Sequence, residues 1–349
     1  MEKRRIKQCV GIDCGLEELV TSFGVLDKTF RQDFLSNTAF DNQVSGFKKL
    51  LSWAGKLAEA DVELTYVIEA TGVYSEKVCL FLHQHNQRVV LLLPNKAKAF
   101  SRTLSVKTST DKVSAKMLAQ FGLEKQLAAW QPAQEIFRNL RRLSRERDQL
   151  IQQQTVIKNQ VHAESHGAWP SQPSLKRMKQ RLVLLKKQIL QIEAEIKELV
   201  DSDDSLKERV EKICTVKGLR LLTVATVLGE TNGFNLFRNK KQLTSYAGID
   251  PVERQSGISV RGKSRISKKG NKYLRKCLFL PALAAQRHNP TMLPLYTRLV
   301  DKHGIKMKAS VAVQRKLLEL IYILWVKNEA FDPDYKKNEG QPREAALAN

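Results

Sequence analysis

The first third of the chain combines short apolar runs with one clear helical spacing. Three apolar runs come first, joined by short turns, and their branched and aromatic residues favour strands. Strands and helices alternate from there on. Three consecutive strands followed by this alternation indicate a mixed sheet flanked by helices, as in RNase H-like folds. The predicted strands are 6–13, 19–26, 29–35, 65–69 and 89–93, and the predicted helices are 44–57, 73–82 and 112–121.

The middle of the chain has the composition of long helices. Between residues 134 and 200, leucine and isoleucine recur every three or four positions among many Arg, Gln and Glu residues. A segment rich in Gly and Pro at 167–173 interrupts this spacing. Two amphipathic helices around one such turn predict an antiparallel coiled-coil arm over residues 131–205. The alternatives are a plain helical linker and an arm that assembles the protein into a homo-oligomer, a dimer or a tetramer.

The remaining chain is predicted to be mostly helical. Residues 216–228 resemble a helix-hairpin-helix, in which the turn at Gly218 would let backbone amides face a DNA phosphate, although Arg220 stands where a second glycine is usual. Apolar helices are expected at 274–285 and 311–326. The sequence therefore predicts an α/β plus α protein. Its parts are an RNase H-like (RuvC-like) domain at 1–130, the arm at 131–205, a mostly helical C-terminal domain at 206–332 and a polar, disordered tail at 333–349.

The net charge of the chain indicates which class of partner it binds. The 349 residues carry a formal net charge of +23, spread along the chain, and the pI is about 9.8. This favours a polyanion, with nucleic acid as the first candidate. A membrane surface is the second, but no apolar run is long enough to span a bilayer, and no apolar segment follows the basic residues at 1–8 as a secretory signal requires.

The cysteines indicate a reducing compartment. There are five, at positions 9, 14, 79, 214 and 277, and no two of them form a C-x-x-C pair. An odd number of cysteines within apolar segments predicts free thiols in a cytoplasmic protein. A structural zinc site is disfavoured for the same reason.

Three acidic residues stand where a fold of this kind can bring them together. Asp13 and Glu69 each end a predicted strand, and Asp111 opens a predicted helix. A carboxylate at the end of a buried strand is costly unless a cation meets it. Together the three predict a divalent-metal site that cuts phosphodiesters, holding up to two ions. Taken singly, each acid is more simply explained as a turn residue at the end of a strand.

A second candidate site is the segment from 254 to 276. It contains nine basic residues and no acid, interleaved with Gly and Ser, and this composition predicts a flexible loop that contacts phosphate. The alternative, a solvated charged surface, is disfavoured because the sign of the charge never alternates. The candidate nucleic-acid-binding residues are Arg254, Arg261, Lys263, Arg265, Lys268, Lys269 and Lys272.

These motifs carry a family resemblance. The chain resembles the transposases of the IS110 insertion-sequence family and the related Piv-type DNA invertases from about residue 8 to residue 330. The N-terminal half is similar to their RuvC-like DEDD domain through GID at 11–13, IEATG at 68–72, TD at 110–111 and AKMLA at 115–119. The C-terminal half is similar to their second domain through LTSYAG at 243–248, QSG at 255–257, RISKKGN at 265–271, RHNP at 287–290 and RKLL at 315–318.

The resemblance implies a DNA transposase that cuts and rejoins strands. Asp13, Glu69 and Asp111 would bind Mg²⁺ beside the scissile phosphate, and Ser256 would attack it and hold one strand end as a phosphoserine. The residues alone do not distinguish Ser256 from serines 259, 264 and 267, although its place before a glycine in a basic loop suits this role. The partners implied are donor DNA, target DNA and a structured non-coding guide RNA.

One position departs from the family pattern. The motif ends with two acids three residues apart on one helical face, and the second of them would fall at position 114, where this chain has Ser114. A neutral hydroxyl is a poor Mg²⁺ ligand. This leaves open whether a second metal ion is held through water, held weakly or not held at all.

Three functions of different classes therefore compete. The first is a recombinase that depends on a metal and uses a serine, guided by RNA. The second is a RuvC-like nuclease or resolvase that hydrolyses DNA with water and uses the basic segment only to hold it. The third is a basic architectural protein without catalytic activity. A covalent adduct between protein and DNA separates the first from the second, and metal-dependent cleavage separates both from the third.

Overall fold

The computed structural model divides into two compact units, Met1–Pro132 and Ala133–Asn349. The structure describes residues 5–104, 108, 110–252, 255–256, 260–261 and 265–334, with only the backbone of 255–256 and 260–261. The predicted disordered tail from 335 onward, and the candidate residues Arg254 and Lys263, lie outside the described residues. None of the helices in the described part of the chain is long and apolar enough to cross a membrane.

The first unit is built on a five-stranded sheet with the order β3-β2-β1-β4-β5. The first three strands form an antiparallel meander, whereas β4 lies parallel to β1 and β5 lies parallel to β4. This order confirms the predicted RNase H-like mixed sheet. The strands are β1 (Arg5–Cys14), β2 (Glu18–Asp27), β3 (Gln32–Asp41), β4 (Leu64–Glu69) and β5 (Arg88–Leu92).

The third strand runs further along the chain than predicted. Its observed span is Gln32–Asp41, so the prediction of 29–35 was right for 32–35, wrong for 29–31 and too short at its end. The carboxylate of Asp27 accepts hydrogen bonds from the backbone amides of Thr29 and Arg31, and this closes a turn over residues that were assigned to the strand. Phe30 has a φ of 60°, which strands do not use. An edge strand with alternating exposure carries a weaker apolar signal than its neighbours.

Helices cover both faces of this sheet. One face packs its apolar side chains with α1 and α2, and the other packs with α3 and α4. Helix α3 was not predicted: the basic segment after β5 is helical, with Pro94 in its first turn and with Ala97 and Phe100 buried. The helices are α1 (Val44–Leu57), α2 (Val73–Gln84), α3 (Pro94–Ser101) and α4 (Asp111–Glu124).

Helix α4 lies directly on β1 because position 11 is a glycine. A Cβ atom at Gly11 would stand 2.1 Å from the carbonyl oxygen of Ala115 and 2.3 Å from the amide nitrogen of Ala119, both in the backbone of α4. Gly122 is equally close to strand side chains, since a Cβ there would meet the sulfur of Cys9 at 2.3 Å. Small residues on both elements thus allow backbone to approach backbone.

The second unit is helical apart from short strands. The two long helices α5 and α6 run antiparallel around a turn at 166–171, and Arg147 of α5 pairs with Glu193 of α6. Their coiled-coil geometry and the predicted boundary at residue 205 stay predictions. The helices are α5 (Glu135–Ser165), α6 (Gln172–Asp201), α7 (Asp204–Cys214), α8 (Leu221–Thr231), α9 (Lys240–Ala247), α10 (Lys272–Cys277), α11 (Phe279–His288), α12 (Met292–His303) and α13 (Lys306–Lys327).

The glycine of the predicted helix-hairpin-helix packs against another helix. Helices α7 and α8 do flank the turn, and Gly218 has the left-handed φ of 106° expected of a glycine turn. However, a Cβ there would lie 3.0 Å from Ala285 and from the carbonyl of Pro281, so the turn packs against α11. Close packing alone therefore accounts for this glycine, and phosphate contact by its amides stays a prediction.

The described residues of the basic segment include short strands and a helix where the sequence predicted a loop. Strand β6 (Pro251–Val252) pairs with β9 (Arg265–Ile266), and β7 (Gln255–Ser256) pairs with β8 (Val260–Arg261), so two short antiparallel ladders follow each other along one hairpin. From Lys272 the segment is helical, with Asn271 capping α10. The prediction of a flexible loop up to 276 was therefore wrong in its last five residues.

Substituting Gly11 tests the contact between α4 and β1. In Gly11→Ala the new methyl group meets helix backbone, which cannot rotate away, so we expect the free energy of unfolding to fall by roughly 2–3 kcal/mol. Gly55→Ala is the matched control because a Cβ at Gly55, inside α1, has no atom within 4 Å, and about 0.5–1 kcal/mol of stabilisation is expected there. Urea unfolding measures both. Equal effects at the two positions would contradict the contact.

Candidate active site

Strand pairing places two of the predicted acids side by side. In the parallel pair β1 and β4, Ile12 is in register with Ile68, so Asp13 and Glu69 occupy the next position at the same edge of the sheet. Side chains alternate between the faces of a strand. Asp13 therefore shares a face with Cys9, and Glu69 shares a face with Val67, and both of these residues pack on the α3–α4 side.

Helix α4 brings the third acid to the same place. Asp111 is its first residue, and the hydroxyl of Thr110 caps the helix by accepting a hydrogen bond from the amide of Val113. Because Gly11 lets this helix lie on β1, its first turn reaches the end of that strand. Ser114 stands one turn after Asp111 and faces the carboxylate of Asp13. The structure thus gathers all three acids, with Ser114 among them.

The three carboxylates act on one another electrostatically. Burial raises the pKa of Asp13 above the ordinary value for an aspartate, and the nearby charge of Asp111 raises it further, while hydrogen bonds from Ser114 and the amide of Cys14 act in the opposite direction. Burial also raises the pKa of Glu69, and the charge of Asp13 adds to that effect. The site therefore concentrates negative charge.

The chemistry of these donors suits a hard divalent cation. Carboxylate oxygens and a hydroxyl are the ligands that Mg²⁺ and similar ions use. Among the described residues, no three His, Cys, Asp or Glu side chains are already close enough to hold one metal ion. The acids thus stand within electrostatic reach of one another without forming a closed site.

Cysteines near the acids offer no nucleophile. All five cysteines are free thiols, as predicted, and Cys14 and Cys79 are buried. Burial is the main cause that raises the pKa of Cys79 to about 12, and it also raises the pKa of Cys14. The thiolate is the reactive form of cysteine, so these two stay inert near neutral pH.

Exposed cations flank the edge of the sheet that carries the acids. Strand β5 runs parallel to β4, so helix α3, which starts two residues after β5, begins at that same edge. Lys96, Lys98 and Arg102 are all exposed there. A polyanion drawn to this edge would thus meet cations beside the acidic site.

Some cations of the basic segment in the second unit are exposed, and others bind groups of the protein itself. Arg265, Lys268, Lys269 and Lys272 are exposed, as expected for residues that contact a ligand, and of Arg261 only the backbone is described. Two further cations serve the fold instead. Arg275 donates a hydrogen bond to the carbonyl of Ala247 at 2.8 Å, and Lys276 pairs with Asp148 of α5. The surface available for phosphate is therefore smaller than the nine basic residues suggest.

The candidate nucleophile lies near the tip of the hairpin. Ser256 ends β7, and its backbone is paired with Val260. Ser267, which the residues alone left as an alternative, has its hydroxyl committed to the carboxylate of Asp250 at 2.7 Å, beside the β6–β9 ladder. That bond gives Ser267 a structural role.

A buried carboxylate anchors the base of this hairpin. The side chain of Glu230 in α8 is fully buried and accepts hydrogen bonds from Nε and Nη2 of Arg145 at 2.7 and 2.9 Å. It also accepts one at 2.6 Å from the side chain of Asn271, which follows directly on the basic hairpin. The hydrogen bond to Glu230 raises the pKa of Arg145. Glu230 thus joins α5, α8 and the base of the hairpin.

Sequence reasoning missed Glu230. The available signal was a single acid in the otherwise apolar helix Leu221–Thr231, since a charge in such a helix requires a partner. Its partner Arg145 lies 85 positions away, and nothing in the sequence pairs the two.

Comparison with known proteins adds family information. Residues 10–168 match the model of the IS110-type DEDD transposases, and residues 210–297 match the model described as Transposase IS116/IS110/IS902 family. The pilin gene-inverting protein of Moraxella bovis is 29% identical over 297 residues, covering 85% of this chain and 90% of that protein. The transposase for insertion sequence element IS1111A of Coxiella burnetii is 28% identical over 128 residues, covering 36% of this chain and 35% of that protein.

Among solved structures, the chain is similar to T. thermophilus RuvC in complex with a Holliday junction substrate. The match covers 35% of this chain and 99% of RuvC, with 10% sequence identity and a TM-score of 0.27. At that score the similarity adds nothing to the strand order, on which the fold assignment rests.

Removing the buried carboxylate tests its anchoring role. Glu230→Ala leaves Arg145 and Asn271 without their acceptor, so we expect the free energy of unfolding to fall by about 3 kcal/mol. Glu193→Ala is the matched control, because Glu193 also pairs with an arginine of α5 but both side chains are about 30% exposed. A loss below about 1 kcal/mol is expected there. Urea unfolding followed by circular dichroism measures both, and similar small losses would contradict the anchor.

Proposed function

Because the chain belongs to the IS110 family of transposases, we propose that it cuts and rejoins DNA strands with a carboxylate-bound metal and the serine nucleophile Ser256. The observation that carries the proposal is the convergence of Asp13, Glu69 and Asp111 on one face at one edge of an RNase H-like sheet. Donor and target DNA are the proposed substrates, in keeping with the net charge of +23.

The acids have distinct positions in this proposal. Asp13 and Glu69 are fixed by adjacent parallel strands, and Asp111 is fixed by the start of α4, so the backbone sets their spacing. A divalent cation such as Mg²⁺, held by these carboxylates, would stabilise the negative charge that develops on the phosphate oxygens. Ser114 supplies a hydrogen bond to Asp13 where the family pattern has a fourth acid. It orients that carboxylate, while contributing no charge of its own.

The proposed chemistry at Ser256 is a reversible exchange of phosphoesters. The serine oxygen forms a bond to phosphorus, and the bond from phosphorus to one deoxyribose oxygen breaks. The proton lost by the serine hydroxyl balances the one gained by the leaving oxygen. Rejoining is the reverse, with a deoxyribose hydroxyl of the new strand attacking the phosphoserine. Bond energy is retained in the phosphoserine, so no further cofactor is needed.

The basic hairpin is the proposed site of phosphate contact. Arg265, Lys268 and Lys269 are exposed along it, Lys272 is exposed at the start of α10, and Arg254, Arg261 and Lys263 belong to the same run in sequence. A structured guide RNA is proposed as a second nucleic-acid partner, because the family resemblance implies one and the positive charge of the chain is not confined to the basic hairpin. Sequencing the nucleic acid that copurifies with the protein tests this. Assembly into a dimer or tetramer through the α5–α6 coiled coil belongs to the same proposal.

A hydrolytic nuclease is the second candidate. It is favoured by one observation: all three acids lie within the first unit, which could cut DNA with water as the nucleophile without Ser256. The two candidates differ in their intermediate, since only the serine mechanism leaves protein joined to DNA.

Neutralising the acids tests the metal site. Asp13→Asn, Glu69→Gln and Asp111→Asn each remove a ligand charge at nearly constant volume, so we expect strand cleavage to fall by at least about 10³-fold (roughly 4 kcal/mol in the barrier). Binding of DNA should change little, since it depends on Lys and Arg. Cleavage of a labelled duplex in Mg²⁺ and its binding by anisotropy are measured in parallel. Normal cleavage by Asp13→Asn would contradict the assignment.

Position 114 provides the graded control for that experiment. Ser114→Ala removes a hydrogen bond but no charge and should be mild, whereas Ser114→Asp should lower the Mg²⁺ concentration needed for half-maximal cleavage. If Ser114→Ala is as inactive as Asp111→Asn, the hydroxyl itself is required for the reaction.

Trapping the protein on DNA tests the nucleophile. On a nicked suicide substrate, the wild type should form a covalent adduct that mass spectrometry maps to Ser256, and Ser256→Ala should form none. Ser267→Ala is the matched control, since it removes a hydroxyl from the same basic segment whose role is to bond Asp250. Efficient cutting by the wild type without an adduct would favour the hydrolytic nuclease. An adduct on Ser267 would show that the wrong serine was chosen.

A further inference from the structure

The distal part of the α5–α6 pair is strongly basic. We call residues 158–187, which comprise the end of α5, the turn and the first half of α6, the arm tip. It contains one acid, Glu164, and seven lysines and arginines, whereas the proximal parts of the same helices mix both signs. The seven cations are Lys158, Lys176, Arg177, Lys179, Arg181, Lys186 and Lys187.

These cations contribute little to the fold: the hydrogen bond that Lys158 donates to the side chain of Gln154 at 3.1 Å lies within one exposed helical turn. All seven are exposed, and among the described residues none of them forms an ion pair. The single acid cannot offset seven cations, and its carboxylate accepts a hydrogen bond at 2.7 Å from the amide of Ser171, the residue that caps α6. Solvated helices normally alternate signs to avoid self-repulsion. A surface of one sign indicates an anionic partner.

The arm tip lies outside the packed core of its unit. Proximal residues of the two helices, such as Leu140 and Ile196, belong to the core cluster of the second unit. The buried residues of the tip, Leu175 and Leu185, and the adjoining Ile157 lie outside that cluster. Stability of the unit therefore does not explain the surface composition of the tip.

A tryptophan stands at the end of the tip. Trp169 is in the turn between the helices, and 93% of its surface is exposed, the largest value among the exposed large hydrophobic side chains of the described residues. It borders an open groove of about 420 Å³. The groove is lined by Gln160, Ala163, Glu164, Gly167, Trp169 and Met178. An indole exposed to water, at the end of a helix pair that carries seven exposed cations, provides a surface on which a flat base can stack.

We propose that the arm tip binds an unpaired stretch of nucleic acid, with Trp169 stacked on a base and the basic surface of α6 on the flanking phosphates. An unpaired stretch is required because the bases of an intact duplex stack on one another and leave no face for the indole. The shared chemistry of single-stranded RNA and DNA fits the site equally, so the test distinguishes them. The site is independent of the carboxylates and of Ser256, and binding alone reports on it.

The first experiment substitutes the tryptophan in the full-length protein. Fluorescence anisotropy without divalent ions measures binding of a short single-stranded RNA, the same sequence as single-stranded DNA, and its blunt DNA duplex. Trp169→Ala should weaken binding of one or both single strands by about tenfold and leave the duplex within about twofold. Trp169→Phe should recover part of the loss, because it keeps an aromatic face. The strand type that loses more affinity identifies the partner.

The second experiment separates local from overall charge. Lys176→Gln, Arg177→Gln and Lys179→Gln together remove three charges from the tip, and Lys302→Gln, Lys306→Gln and Lys308→Gln remove three exposed charges from α12 and α13 as the matched control. The tip variant should reduce the salt dependence of single-strand binding by about two units of the log–log slope, and the control should change it by less than half of that.

Three outcomes would overturn the proposal. The first is single-strand affinity unchanged in Trp169→Ala. The second is an equal effect of the two triple variants, which would show that only net charge matters. The third is a lower oligomeric mass of Trp169→Ala in light scattering with unchanged nucleic-acid binding, which would make the tip a contact between copies of the chain. Circular dichroism of every variant confirms the helical content, which exposed residues should leave unaltered.

Discussion

The site depends on the contact of helix α4 with strand β1. At Gly11 the helix backbone occupies the space of a missing side chain, and Ala115 and Ala119 keep the facing surface small. This approach brings Asp111 and Ser114 to the strand end that carries Asp13. Three carboxylates repel one another, so their arrangement has to be enforced by packing elsewhere. Backbone contact is the stiffest way to do this, because no rotamer change can relieve it.

The same arrangement makes the isolated site a source of strain. Burial and mutual repulsion raise the pKa values of Asp13 and Glu69, which means that their charged forms are less stable in the folded protein than in water. A cation would reverse that balance, so affinity for a metal and instability without it have one physical origin. Ser114 moderates the effect: a fourth carboxylate would add repulsion, whereas its hydroxyl donates a hydrogen bond to Asp13.

Sequence reasoning found those features whose signal is local. Asp13 and Glu69 end apolar runs and Asp111 opens a helix, so local patterns were sufficient to predict the elements that carry these acids. The bounds of strand β3 were misplaced because an edge strand is apolar on one face only. Helix α3 was missed because its two buried residues, Ala97 and Phe100, are too few among polar and basic residues to give a helical pattern. Glu230 was missed because its meaning depends on Arg145 and Asn271, which only the fold brings near.

Not every cation that contributes to the net charge is available to bind a partner. Arg145, Arg275 and Lys276 are each bound to a carboxylate or carbonyl of their own unit, so they add to the count of +23 while presenting little charge to a partner. The cations of the basic hairpin and of the arm tip whose side chains the structure describes are instead exposed, and none of them forms an ion pair. A polyanion attracted by these cations would thus have two separate surfaces of this unit to bind, the basic hairpin and the arm tip. Only the hairpin adjoins the proposed nucleophile.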